Sequence, residues 1–193
     1  MSNAAWALLL VYAAVRFVLD HWLDSLGEYA SYLFECLFVA VTWAVLKPAL
    51  SWKPRMRAID PFAALAAGFA VSKGLGALEL PCPFDLQSAP TLVFLLLIGP
   101  VLEEFLFRVA LWEAFAGALR SISPLWPTSI LFSFGHLFAW WSVPEEFKGF
   151  VLYQAAYTLA LGYCCGRRRL ESRSVLPAVA IHLSFNLGFY LGA

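Results

Sequence analysis

Six polar residues interrupt long apolar stretches of this sequence at positions where they could do acid–base chemistry. They are Glu103, Glu104 and Arg108 in LLLIGPVLEEFLFRVALW (95–112), His136 in FSFGH (132–136), and His182 and Asn186 in HLSFN (182–186). A carboxylate at the centre of a bilayer costs about 2.5 to 3.5 kcal/mol, so such residues usually face a bundle interior or a wet cavity. We therefore expect these residues to form one buried polar site.

The two adjacent glutamates are not equivalent on a helix. Glu104 and Arg108 are four residues apart, which places them on one helix face and lets them pair. Glu103 points about 100° away, so it has no partner within its own helix. A structural ion pair needs only one carboxylate, which leaves Glu103 free for chemistry. The alternative is that all three residues only hold helices together.

These residue types suit the hydrolysis of an amide. That reaction needs an activated water, a donor for the developing oxyanion and a proton for the leaving amine. Glu103 could take a proton from a water that His136 helps to hold, while Arg108 keeps the Glu103–Glu104 pair partly ionised. His182 and Asn186 could then donate to the tetrahedral oxygen.

Zinc is the main chemical alternative for this set of residues. Two histidines and one or two glutamates could form a site with one open position. The sequence has no HExxH pair, and the positive charge of Arg108 disfavours a cation beside it. We therefore predict no metal and no other cofactor.

The composition predicts the elements that carry these residues. The sequence is 62% hydrophobic and only 13% charged, with a mean hydropathy of +0.75. It therefore reads as an all-α, polytopic integral membrane helix bundle, a single domain over 1–193 with core helices in 91–193. We place seven spans, with six to eight as the range, at about 4 to 20, 28 to 46, 61 to 79, 91 to 117, 126 to 143, 148 to 166 and 174 to 192.

Local signals add detail to three of these helices. Gly99 and Pro100 are expected to kink the fourth helix and free backbone carbonyls toward the site. Gly188 and Gly192 form a GxxxG pattern that favours close helix packing. We expect the remaining ionisable residues within spans to reach the interface instead of the site; they are Arg16, Glu35, Lys73, Glu79 and Glu113.

Basic residues are concentrated in alternate loops, which predicts the orientation of the chain. One set of loops holds Lys47, Lys53, Arg55, Arg57, Arg120, Arg167, Arg168, Arg169 and Arg173, whereas the opposite set holds only Lys148. This asymmetry predicts a cytoplasmic N-terminus. The acids of the opposite loops are Asp20, Asp24, Glu28, Asp85, Glu145 and Glu146. The formal net charge is zero, so no nucleic-acid partner is expected.

Two residue types have simpler interpretations. His21 lies beside Asp20 at the edge of the first span and is expected to be a solvated interfacial residue. The four cysteines show no CxxC spacing, so we expect small buried hydrophobic side chains and not a disulfide or a zinc site.

The three motifs together resemble those of a known family. EEFLFR fits EExxxR, FSFGH fits FxxxH and HLSFN fits HxxxN, in that order on successive core helices, with one helix between the second and third motifs. This resembles the CPBP family (CAAX proteases and bacteriocin-processing proteins) of intramembrane proteases, which includes the Ras-converting CAAX endopeptidase. The resemblance covers about 90–192. It implies a metal-independent, glutamate-dependent endopeptidase in which Glu103 and His136 activate water and His182 and Asn186 form the oxyanion site.

The resemblance leaves the substrate open. Its members act on CAAX tails, C-terminal sorting tails or bacteriocin leaders, so we expect a membrane-associated protein or peptide substrate and the bacterial cytoplasmic membrane as the location. Two non-proteolytic alternatives remain. One is a membrane immunity or scaffold protein whose polar cluster only fixes packing. The other is a proton or ion carrier, which the absence of inverted repeats disfavours.

Overall fold

The computed structural model describes residues 3–27, 30–53 and 56–193, and all the regular structure in these ranges is helical. The N-terminal part contains α1 (Asn3–Phe17), the short α2 (Asp20–Ser25), α3 (Ala30–Leu46) and α4 (Ile59–Ala77). The predicted all-α class is confirmed.

The motif with the two glutamates lies on one continuous helical path. It consists of α5 (Ala89–Val93), a first π-helical segment (Phe94–Ile98), α6 (Gly99–Phe105), a second π-helical segment (Leu106–Ala110) and α7 (Leu111–Ala118). π-helical segments within α-helices are frequent at functional sites. Here they flank the short helix that carries both glutamates.

Three helices complete the bundle. They are α8 (Leu125–Leu137), α9 (Lys148–Ser172) and α10 (Leu176–Gly192), with 3-10 turns at Phe138–Trp141 and Glu145–Phe147 between α8 and α9. The long helical stretches correspond to the seven predicted segments. The fifth is shorter than predicted, because α8 changes to a 3-10 turn after Leu137. The sixth is longer, because α9 continues through Arg167, Arg168 and Arg169 to Ser172, and Arg173 follows it with a φ of 57°.

Within the described residues, none of the individual helices has both the length and the apolar character needed to cross a membrane.

Glycines bring α4 and α10 into close contact. A Cβ at Gly188 would lie on the carbonyl oxygen of Leu65, and one at Gly68 would lie on the carbonyl oxygen of Phe185. A Cβ at Gly192 would lie 2.9 Å from the carbonyl oxygen of Phe69. The close packing predicted from GxxxG is therefore confirmed, and it holds the helix with HLSFN firmly against α4.

Several predictions concern individual residues. Glu28 and Arg55 of the orientation pattern lie outside the described residues, as do the side chains of His21, Asp20 and Asp24. All four cysteines are free thiols. Cys165 is buried as expected, but Cys36 and Cys164 are exposed, so the prediction of buried cysteines is wrong for those two.

Candidate active site

The predicted ion pair lies in the interior of the bundle. Oε2 of Glu104 is 3.3 Å from Nε of Arg108, and both side chains are fully buried. Nη2 of Arg108 also donates to the carbonyl oxygen of Gly162 on α9, at 3.0 Å. The guanidinium is therefore fixed by a carboxylate on its own helical path and by a backbone carbonyl on another.

His182 connects the two glutamates. Its Nδ1 lies 3.0 Å from Oε1 of Glu104, within hydrogen-bond distance. Its Nε2 faces Oε2 of Glu103 at 3.6 Å. Since Nδ1 is engaged by the buried carboxylate, Nε2 is the ring atom that remains for chemistry at Glu103. The sequence predicted His182 near this site, but not its hydrogen bond to Glu104.

Glu103 differs from Glu104 as the sequence predicted. Its side chain keeps 30% of its surface accessible, whereas that of Glu104 has none. Glu103 lines a cavity of about 650 Å³, together with His136, His182 and Asn186. Glu104 and Arg108 lie behind the cavity wall. The structure therefore brings four of the six predicted site residues to one cavity and places the other two in support of them.

His136 has a defined orientation. Its Nδ1 lies 2.9 Å from the carbonyl oxygen of Phe132, one turn earlier on α8. A carbonyl only accepts hydrogen bonds, so Nδ1 carries the proton and a neutral His136 keeps a lone pair on Nε2. This lone pair on a histidine that lines the cavity can accept a hydrogen bond from a bound water.

Phe132, the first residue of the FxxxH motif, lines the site, although the sequence analysis assigned it no role there. Its ring is perpendicular to the rings of His136 and His182, with centroids 4.8 and 5.7 Å away. The guanidinium carbon of Arg108 lies 5.5 Å from its centroid. One buried ring thus packs against three members of the site, and the FxxxH motif is the sequence signal for it.

Asn186 is held by a hydrogen bond to a backbone carbonyl, which Gly99 and Pro100 leave without its usual helical donor. The N–H of Gly99 donates to Phe94, five residues back, and Pro100 has no N–H. The carbonyl of Leu95 is thereby left for another donor, and Nδ2 of Asn186 donates to it at 2.8 Å. The predicted freeing of a backbone carbonyl is confirmed. The second N–H of the Asn186 amide remains for a ligand in the cavity.

The cavity also receives residues from outside the predicted motifs. Arg16 on α1 and Glu35 on α3 line it, so the expectation that these two side chains reach only the interface is wrong. Both lie close to predicted helix ends and therefore looked peripheral in the sequence, but α1 and α3 contribute to the lining of the cavity. In the described part of the chain, no three histidine, cysteine or acidic side chains are placed to hold a metal ion.

Arg169 supports the site from behind. It was predicted in a loop, but it lies in α9 and is only 5% exposed. Its Nε donates to the carbonyl oxygen of Arg108 at 3.0 Å, and Nη2 donates to Glu113 at 3.0 Å. Glu113 is therefore an ion-pair partner and not an interfacial residue. The buried stripe Gly162, Cys165, Gly166 and Arg169 has helical spacing and could have indicated this contact.

Comparison with known proteins gives one match. A sequence model of the family described as "Type II CAAX prenyl endopeptidase Rce1-like" matches residues 85–188. This range contains all six predicted site residues and the helices α5 to α9, with most of α10. No curated protein and no solved structure matches the chain. With more than half of its length matched, the chain belongs to the Rce1-like family of type II CAAX prenyl endopeptidases.

Proposed function

We propose that this protein is an intramembrane endopeptidase in which Glu103 activates a water to cleave a peptide bond of a membrane-associated substrate. The observation that carries the proposal is the different environment of the two glutamates. Glu104 is fully buried and engaged by Arg108 and His182. Glu103 faces the cavity beside His182, and His136 lines the same cavity.

The charges of the site support this assignment. Arg108 is a permanent cation, and Glu104 compensates it at 3.3 Å. His182 lies 3.0 Å from Glu104 and 3.6 Å from Glu103, so it is the side chain placed to compensate an ionised Glu103. An ionised Glu103 is the form that can accept a proton from water.

The proposed reaction proceeds in two steps. Glu103 takes one proton from a water that also donates to Nε2 of His136, and the water oxygen bonds to the substrate carbonyl carbon. Nε2 of His182 and the free N–H of Asn186 donate to the resulting oxyanion. When the C–N bond breaks, Glu103 returns its proton to the leaving amine. The products are a carboxylic acid and an amine, and no metal, serine or cysteine nucleophile takes part.

The membrane setting is part of the proposal. Large apolar side chains are exposed on the outer faces of several helices, among them Leu33, Leu37, Phe62 and Ile130. Exposed apolar surface of this kind fits contact with lipid. The basic loops predict a cytoplasmic N-terminus. The family description favours a CAAX-like C-terminal tail as substrate. A sorting-signal tail and a bacteriocin leader remain alternatives, and a bacterial cytoplasmic membrane stays a prediction.

The test is cleavage of a lipidated C-terminal peptide by the purified protein in liposomes. Glu103→Gln removes the proposed base and should lower kcat by about 10²–10⁴. Glu146→Gln, a matched change of an exposed glutamate, should leave it unchanged. Addition of a strong chelator to the natural protein should not reduce cleavage. Equal cleavage by the two variants would contradict the role of Glu103 as the base. Absence of cleavage by the natural protein would favour a membrane scaffold in which the cluster only holds helices together.

A further inference from the structure

A second cavity lies between α4 and α9, and it does not contain the proposed catalytic residues. Its volume is about 580 Å³, and α10 contributes to its lining. Small side chains create the space, since Ala63 and Ala67 of α4 face Ala160 of α9 across it. These alanines are exposed, so the cavity opens on the outer surface of the bundle, and its largely apolar walls fit a hydrocarbon chain better than a polar ligand.

One end of this cavity is charged. Arg57, Arg167 and Arg168 lie there with two acids, Asp60 and Glu171. Arg168 pairs with Asp60 at 2.6 Å and also with Glu171. Arg167 pairs with Glu171 at 2.8 Å, and this hydrogen bond lowers the pKa of Glu171. Three guanidinium groups face two carboxylates, so the end carries one excess positive charge.

The length of the cavity corresponds to one leaflet of a bilayer. From Glu171 at the charged end to Tyr157 at the other, the rise along α9 is about 21 Å at 1.5 Å per residue. Half of a bilayer that includes its headgroups is about 20 to 22 Å. The charged end belongs to the side that the basic loops predict to be cytoplasmic. A charged group at this end and an apolar chain along the alanines would therefore both be in their natural surroundings.

The second cavity shares a wall with the first. Tyr157, Leu161 and Phe185 line both cavities. The rings of Tyr157 and Phe185 pack with centroids 5.6 Å apart. Phe185 directly precedes Asn186 on α10, so a chain in the second cavity would press on the helix that carries the proposed oxyanion donors.

We propose that this second cavity binds one anionic phospholipid, with its headgroup at Arg57 and Arg167 and one acyl chain along Ala63, Ala67 and Ala160. Basic pockets between membrane helices on the cytoplasmic side bind such headgroups. The bound chain supports the wall of Tyr157 and Phe185, and thereby the activity of the first cavity. This inference rests on the membrane location given under Proposed function.

The experiment measures phosphatidylglycerol bound to the delipidated full-length protein, by mass spectrometry, with phosphatidylcholine as the neutral comparison. Ala67→Leu fills the cavity, whereas Ala66→Leu adds the same volume at an equally exposed neighbour that does not line it. We expect Ala67→Leu to lose phosphatidylglycerol binding and Ala66→Leu to keep it. Arg57→Gln should weaken binding about fivefold, the factor for one arginine near a membrane surface.

Activity provides a second, separable readout. Phosphatidylglycerol in the liposomes should raise cleavage by the natural protein and by Ala66→Leu, but not by Ala67→Leu. Glu103→Gln should bind phosphatidylglycerol normally, so the lipid site can stand even if the proposed protease chemistry fails. Equal phosphatidylglycerol binding by Ala67→Leu and Ala66→Leu would overturn the inference. If Ala67→Leu instead raised only the KM for a lipidated peptide, the occupant would be the lipid group of the substrate and the inference would also fall.

Discussion

Nδ1 of His182 lies 3.0 Å from Oε1 of the fully buried Glu104. This contact fixes the ring so that its other nitrogen faces Glu103. It also gives the adjacent glutamates different tasks, since one holds the site together and the other is available to react. The two tasks can be separated experimentally.

Glu104→Gln should destabilise the protein, whereas Glu103→Gln should not. Loss of Glu104 leaves the charge of Arg108 buried without compensation, which costs about 3 to 5 kcal/mol. Glu103 keeps part of its surface accessible and loses little on neutralisation. The measurement is thermal unfolding of both variants in the same detergent. Equal unfolding temperatures would show that the two glutamates contribute equally to the stability of the fold.

Phe132→Leu should reduce kcat while leaving the fold intact. The backbone carbonyl that orients His136 remains, but the ring that packs against His136, His182 and Arg108 is lost. Loss of the contacts of a large buried aromatic ring allows small displacements of the reacting groups. Such displacements can lower kcat about 10²-fold. Phe134→Leu is the matched control, because Phe134 lies on the same helix and is 39% exposed. A similar kcat for both variants would show that the ring of Phe132 does not position the reacting groups.

Gly162→Ala should destabilise the site from the side of α9. A Cβ there would lie 3.0 Å from Cδ1 of Phe132 and 3.4 Å from Nη2 of Arg108. Forcing one methyl group into a packed interior costs about 1 to 3 kcal/mol. At Gly76 a Cβ would meet nothing within 4 Å, so Gly76→Ala should be harmless. Unfolding temperatures of the two variants check this, and an unaffected Gly162→Ala would refute the tight packing.

Arg169→Lys should lower kcat more than it changes KM. The lysine keeps the charge for Glu113, but it lacks the planar group that donates to both Glu113 and the carbonyl of Arg108. Arg169 acts through the second π-helical segment and does not line the cavity, so it is a positioning residue. Arg120→Lys, at an exposed position, is the control. A rise in KM alone would indicate that Arg169 contacts substrate.

Local patterns account for the part of this structure that the sequence predicted. The pairing of Glu104 with Arg108 depends only on helical spacing, and the distinct direction of Glu103 follows from the same geometry. The long helices follow from apolar runs bounded by prolines and charges. Gly99 with Pro100 and the glycines of α10 act through backbone chemistry that is visible in the sequence.

Contacts between distant residues could not be predicted in this way. The hydrogen bond from Arg169 to Arg108 joins positions 61 residues apart, and that from Asn186 to Leu95 joins positions 91 residues apart. Arg16 and Glu35 reach the cavity only because of how α1 and α3 pack. Helical periodicity indicates which face of a helix is buried, but not which helix covers it.

The most direct test of the central claim compares the termini of membrane proteins in host cells that carry the natural chain or its Glu103→Gln variant, at equal folded amounts. If Glu103 is the catalytic base, unprocessed precursors accumulate with Glu103→Gln, and their cleavage sites define the substrate class. Identical termini in the two strains, with the function of the chain intact in the variant, would contradict the assignment of Glu103 as the catalytic base.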